Sequence, residues 1–158
     1  MFVYITGSGC RKRELVASMV DYCAQMLMPR IAPTISIDIQ LVHNLYDKEG
    51  VVGDCIPHDF ADTNHPRDFV MRIDSKEPLR EMLETVAHEM VHVKQFAKGE
   101  LYQSSRNSKH RWQGQWVNKD PDYWDCPWEI EAFGRQPGLF LRWVAKNNYQ
   151  KKKWTKCS

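Results

Sequence analysis

The 158 residues include 42% hydrophobic and 27% charged side chains at a formal net charge of +2. That is enough apolar material for one buried core, and too even a charge balance for a protein that binds polyanions through net charge alone. No apolar run approaches the length of a membrane-spanning helix, no repeat divides the chain, and five cysteines without regular spacing do not form a disulfide framework. The expectation is a single domain over residues 1–150 with a basic tail over 151–158, monomeric and kept in a reducing compartment.

The segment Met1 to Gly7 lacks the basic start and long apolar stretch of a signal peptide, which points to the cytoplasm. Gly7-Ser8-Gly9-Cys10-Arg11-Lys12 has glycines in the manner of a phosphate loop. The spacing to lysine is wrong for Walker A, however, and the third glycine of a dinucleotide fingerprint is absent, so it reads as a strand-to-helix turn. Residues 11–28 place Leu15, Val16, Met19, Val20, Cys23, Met26 and Leu27 at helical spacing, and Pro29 ends that helix. Residues 34–41 and 68–73 alternate with a period of two and read as strands, with 51–56 as a neighbour, while 57–67 is a polar loop. Either 51–56 or 68–73 is the expected edge of the sheet.

Residues 78–98 open with proline and run without another proline or a glycine until Gly99, so they read as one long helix. Leu79, Met82, Leu83, Val86, Met90, Val93 and Ala97 gather on one side of it. His88 and His92 fall roughly opposite, with Thr85 and Gln95, and face a cleft or another helix. Glu89 lies at the flank of the apolar stripe.

His88-Glu89-Met90-Val91-His92 carries the chemistry. Four residues are about one helical turn, so both imidazoles leave the same face and can meet one zinc ion, while the glutamate stands beside the metal as a general base for a zinc-bound water. The pattern arises by accident in about 1% of chains of this composition, but here motif and amphipathicity agree. A catalytic zinc takes three protein ligands. Pro127 announces a second helix that offers Glu129 and Glu131, about 200° apart around it, so only one of them faces the histidine pair. Cys126, about one turn before Glu129, is a candidate fourth ligand that would close the site.

Residues 102–126 concentrate Trp112, Trp116, Tyr123 and Trp124 beside Arg106, Lys109, His110 and Arg111. Trp112-Gln113-Gly114-Gln115-Trp116 has the form of a tight hairpin, packed across the body of the domain or forming a cleft wall. Tyr123, Tyr102, His110 and Arg106 are the sequence neighbours able to stabilise an oxyanion, with Tyr123 taken as the catalytic candidate. Lys146, Lys151, Lys152, Lys153 and Lys156, with Trp154 among them, offer nucleic acid a weak basic contact and a stacking ring.

The stretch from Thr85 to Phe96, followed by Gly99-Glu100-Leu101, Trp112-Gln113-Gly114 and Pro127-Trp128-Glu129-Ile130-Glu131-Ala132, resembles the SprT-like and minigluzincin metallopeptidases, especially those encoded by tailed phages. The resemblance spans roughly residues 34–145. It implies an α+β fold with an N-terminal helix, a three- to four-stranded sheet, the active-site helix and a later ligand helix. It also implies zinc as cofactor, a peptide or protein as substrate, host cytoplasm as location, and Glu129 as third ligand, with the small Ala132 three positions on. The family often places an aspartate next, where this chain has Phe133, which leaves the support of the histidines unassigned. The alternative reading is a latent or structural zinc protein, associated with DNA through its tail.

Overall fold

The computed structural model describes residues 1–58, 63–104, 109–117 and 121–156. Strand β1 (Phe2–Thr6) turns into helix α1 (Cys10–Leu27) at Gly7, where φ is +75° and a Cβ would lie 2.2 Å from the Leu41 carbonyl oxygen. Arg13 donates to the carbonyls of Gly7 and Ser8, so this loop is a strand-to-helix turn, as its spacing indicates.

Strands β2 (Ser36–Val42), β3 (Gly53–Pro57) and β4 (Asp68–Asp74) complete a four-stranded sheet in the order β1-β2-β4-β3. β1, β2 and β4 run parallel, and β3 is antiparallel to β4. Of the two edge candidates, β3 is therefore the edge and β4 lies inside. The alternation foreseen for β2 and β4 is real: Ile37, Ile39, Leu41, Phe69, Met71 and Ile73 are buried beneath the helices. Phe2 and Tyr4 of β1 are exposed.

Between β2 and β3 lies a short helix, α2 (Leu45–Glu49), that periodicity does not reveal. It is fixed by a distant residue, since the Asp74 carboxylate accepts from the backbone N–H of Tyr46 and of Lys76, both at 2.8 Å. Helix α3 (Leu79–Ala97) is the central element, packed on α1, β3, β4 and helix α4 (Pro127–Lys146). From Val86 to Ala97 every residue of α3 is buried, so its polar side is covered as well as its apolar stripe. The chain is thus an α+β domain, as expected.

A second, three-stranded sheet of β5 (Leu101–Gln103), β6 (His110–Trp112) and β7 (Gln115–Trp116) sits beyond α3. The hairpin at Gln113-Gly114 has φ of +47° and +83°, the signs of a type I′ turn. Trp112 packs against the core and Trp128, whereas Trp116 is exposed and lies against Tyr102 and Arg111, so neither ring forms a wall of the site. Residues 151–156 fold back on the body. Trp154 lies against Trp143 and Tyr149, Thr155 is buried, and Arg80 donates to the Thr155 carbonyl at 2.9 Å. The ring expected to stack on nucleic-acid bases is thereby packed against the protein itself. Among the described residues no helix is long and apolar enough to cross a membrane.

Candidate metal centre

α3 and α4 lie side by side so that His88 and His92, one turn apart, face the first turn of α4. Pro127 begins that turn, where a missing N–H costs nothing, and Glu129 follows it near the positive end of the helix dipole. The two imidazole Nε2 atoms are 3.1 Å apart, and the Glu129 carboxylate oxygens lie 3.3 Å from His88 Nε2 and 3.4 Å from His92 Nε2. Tetrahedral coordination with bonds of about 2.0–2.1 Å needs ligand atoms roughly 3.3–3.4 Å apart, so this group has about the dimensions of a metal site. Among the described residues, His88, His92 and Glu129 form the group that can hold a metal ion, and all three are buried.

The hydrogen bonds behind the rings support that assignment. Gln95 donates through Nε2 to the Trp128 carbonyl at 2.9 Å and to Glu131 at 3.0 Å, which turns its Oε1 toward His92 Nδ1 at 2.8 Å. His92 therefore donates from Nδ1 and presents a lone pair at Nε2. His88 Nδ1 meets Gln136 Oε1 at 2.9 Å in the same way. Two lone pairs then face each other across 3.1 Å, and Glu129 Oε2 is buried without a hydrogen-bond partner. Both features are costly in a protein interior, and both are relieved by one cation at the centre of the triangle.

Glu131 has a different task. It accepts from Lys94 at 2.7 Å, from Gln95 and from Arg135, while Lys94 also pairs with Glu100 at 2.6 Å. The carboxylate is committed to this network around the buried Lys94, so of the two glutamates Glu129 joins the metal group. Cys126 is not among the atoms that gather there; its thiol donates to the Pro121 carbonyl at 4.0 Å. Cys55 lines the cleft, but burial, with Glu89 and Asp54 adding to it, pushes its thiol pKa up and keeps it protonated.

Glu89 stands beside the triangle and is not one of the grouped ligands. Burial pushes its pKa up to about 8, with Glu129 and Asp54 adding to the rise and His88 opposing it. The carboxylate packs against Gly53 of β3, where a Cβ would come within 3.2 Å of Glu89 Oε1. Glycine at this point lets the edge strand approach the general-base candidate.

Of the four oxyanion candidates, the structure brings Tyr123 and His110 to the cleft. Burial, with the neighbouring Glu129 carboxylate adding to it, raises the Tyr123 phenol pKa. His110 stacks on Trp128 with ring centroids 4.8 Å apart. Tyr102 lies instead under Arg111 and beside Trp116, in a separate hollow with Pro57 and Pro66. Arg106 falls outside the described residues.

The sequence reading missed Gln95 and Gln136 as supports. Their signal is spacing: Gln95 follows His92 by three residues, and Gln136 follows Glu129 by seven, two turns along the same face of α4. In comparisons with protein-family models, with characterised proteins and with solved structures, none matches this chain.

Proposed function

We propose that this chain is a zinc-dependent endopeptidase of the minigluzincin kind, with His88, His92 and Glu129 as metal ligands and Glu89 as general base. The observation that carries the reading is the position of Glu89. It is buried in the cleft wall next to the ligand triangle but withheld from it, which a purely structural metal site has no need of.

When bound, zinc supplies Lewis acidity and lowers the pKa of water to near neutrality. The residues do the rest. Glu89 takes a proton as the water oxygen bonds to the carbonyl carbon, and returns it to the amine nitrogen as the C–N bond breaks. The Tyr123 hydroxyl, half-exposed and borne on a short turn before α4, is placed to donate to the carbonyl oxygen as negative charge develops. Gln95 and Gln136 hold the imidazoles in the tautomer the metal needs. The edge strand β3 borders the cleft with Gly53, Asp54 and Cys55, preceded there by Val51, and can pair with an extended peptide main chain, which selects for polypeptide without fixing its side chains.

The test is metal content of the wild type beside His88→Ala and Glu129→Ala, followed by peptide-library cleavage with and without chelator. One equivalent of zinc, lost in both variants, with chelator-sensitive cleavage is the expected result. Glu89→Gln should keep the zinc and lose turnover by at least about a hundredfold, the scale of general-base contributions. Full activity in zinc-loaded Glu89→Gln would remove the general-base assignment.

A further inference from the structure

The four-stranded sheet has two edges, and they are built differently. β3 begins at Gly53 and ends at Pro57, and its Asp54 is tied to Arg72. β1, the other edge, carries no charge, no proline and no bulge: Phe2 to Thr6 pair in unbroken register with Ser36 to Gln40 of β2. Edge strands are commonly blunted by one of those devices, because an open row of N–H and C=O groups is a template for another strand.

The side chains repeat the contrast. Val3 and Ile5 point to the core beside Ile37 and Ile39 and stay partly open at the rim of the sheet. Phe2 and Tyr4 point to the opposite face and are 76% and 70% exposed, more than any other large apolar side chain among the described residues. A strand that is apolar on both faces belongs to the inside of a sheet, with a neighbour on each side.

Main-chain direction fixes which groups are available. The Phe2 N–H donates to the Ile35 carbonyl at 2.9 Å, so Phe2, Tyr4 and Thr6 turn their polar backbone groups toward β2. Val3 and Ile5, one residue out of step, turn theirs outward. A second β1 laid antiparallel about a twofold axis at Tyr4 meets these groups in register. Val3 stands opposite Ile5 of the second copy, Ile5 stands opposite its Val3, and each pair exchanges both of its hydrogen bonds. Tyr4 faces Tyr4 of the second copy in the closer, non-hydrogen-bonded position, and Phe2 lies opposite Thr6. Neither strand carries a charged side chain, so none is buried in the seam.

We propose that β1 is a homodimerisation edge through which two copies of this chain join their sheets into one, with Tyr4 on the twofold axis. The self-complementary register selects a second copy as the occupant, and a charged partner strand finds no counter-charge along Phe2–Thr6. Because β1 and β3 are opposite edges, the joined sheet keeps both β3 strands outermost and both metal clefts open. The inference is independent of the peptidase reading. Five-residue strands do not bury the roughly 800 Å² per partner of a permanent interface, so the dimer should have a Kd of about 100 µM.

The experiment is sedimentation equilibrium of the full chain from about 10 µM to about 1 mM, a range that brackets that Kd. The mass should rise from 18.6 kDa toward twice that value. Tyr4→Lys, which sets two ammonium groups against each other on the axis without touching the core, should stay at the monomer mass with the urea midpoint of the wild type. Register is read by exposure to oxidised glutathione in a Cys10→Ser, Cys157→Ser background that removes competing thiols. Cα atoms facing each other in a non-hydrogen-bonded pair are about 4.5 Å apart, within reach of a disulfide, so Tyr4→Cys should give a covalent dimer. Phe2→Cys, whose two copies lie about 13 Å apart along the seam, should not. A monomer mass throughout the range, the state expected from the sequence, would overturn the proposal, as would a Tyr4→Lys protein that associates like the wild type. Equal crosslinking of Phe2→Cys and Tyr4→Cys would overturn the axis at Tyr4.

Discussion

Removing the two glutamines behind the imidazoles should have unequal consequences. Gln95 is 0% exposed and joins His92, the Trp128 carbonyl and Glu131 at 2.8, 2.9 and 3.0 Å. Gln95→Ala strips a partner from each, two of them neutral at about 1 kcal/mol and one a carboxylate at about 1.5–3 kcal/mol, so the metal-free protein should lose about 3–5 kcal/mol. Gln136 is half-buried with a single contact, to His88 at 2.9 Å, and water can replace it, so Gln136→Ala should cost about 1 kcal/mol. Metal affinity should fall about 10- to 100-fold in Gln95→Ala and by no more than about tenfold in Gln136→Ala. Gln136→Glu reverses the sign, because a carboxylate accepting from His88 Nδ1 makes the ring a better donor to the metal. The assays are competition with a chromophoric chelator at fixed pH and urea denaturation of the metal-free proteins. A folded Gln95→Ala protein with wild-type metal affinity would refute the claim that these amides hold the rings.

Three further outcomes follow from single contacts. Gly53→Ala should cost about 1–3 kcal/mol and cut activity without loss of metal, because the new methyl falls 2.5 Å from Thr85 Cγ2 and 3.2 Å from Glu89 Oε1; adding Thr85→Ser should restore stability, and urea midpoints of the single and double variants decide it. The Asp74 carboxyl is desolvated, yet the N–H groups of Tyr46 and Lys76 lower its pKa below 3.8, so its contribution is present above that value and lost as pH falls through the folded one. Asp74→Asn should therefore destabilise at pH 7, by about 1–3 kcal/mol because one N–H loses its acceptor, and the difference from wild type should shrink as pH falls through the folded pKa, as denaturation over a pH series will show. Trp154→Ala should lower stability by about 2 kcal/mol, since the ring packs on Trp143 and Tyr149; any salt-dependent DNA binding should survive it, and unchanged stability would mean the ring is free.

Those contacts also explain which parts of the molecule were legible in the sequence. α3 could be read because its apolar stripe, its proline start and the histidine spacing all act within one helix, and β2 and β4 because one of their faces lies on the core. α2 could not be read: five residues do not make a stable helix alone, and what holds them is Asp74, 28 residues away. The sheet of β5 to β7 was visible only at its hairpin, where Gln113-Gly114 supplies the positive φ values. Glu129 and Glu131 could not be separated by spacing, since both reach the end of α3. The burial of Lys94 separates them, because a buried cation needs carboxylates nearby and takes Glu131 together with Glu100.

The departure at Phe133 has the same kind of explanation. The resemblance read from the sequence leads to the expectation of an aspartate at this position, four residues after Glu129. Here an apolar ring occupies it, and support for His88 comes from Gln136, about one turn further along the same face of α4. Positions 129, 133 and 136 of a helix share one side, so the supporting group can move along the face without turning the helix. The exchange has two consequences. Phe133 stands edge-on to His88 and lines a hollow together with Tyr46, Val52 and Thr85. And because both histidines lean on neutral amides, less negative charge would reach a bound metal through the rings than carboxylate partners would send. On the proposed reading, a dication held there would be balanced by Glu129 alone among its direct ligands, which would leave it more strongly electrophilic toward a carbonyl oxygen. The Gln136→Glu variant measures this trade, since tighter metal binding and slower turnover should appear together in it.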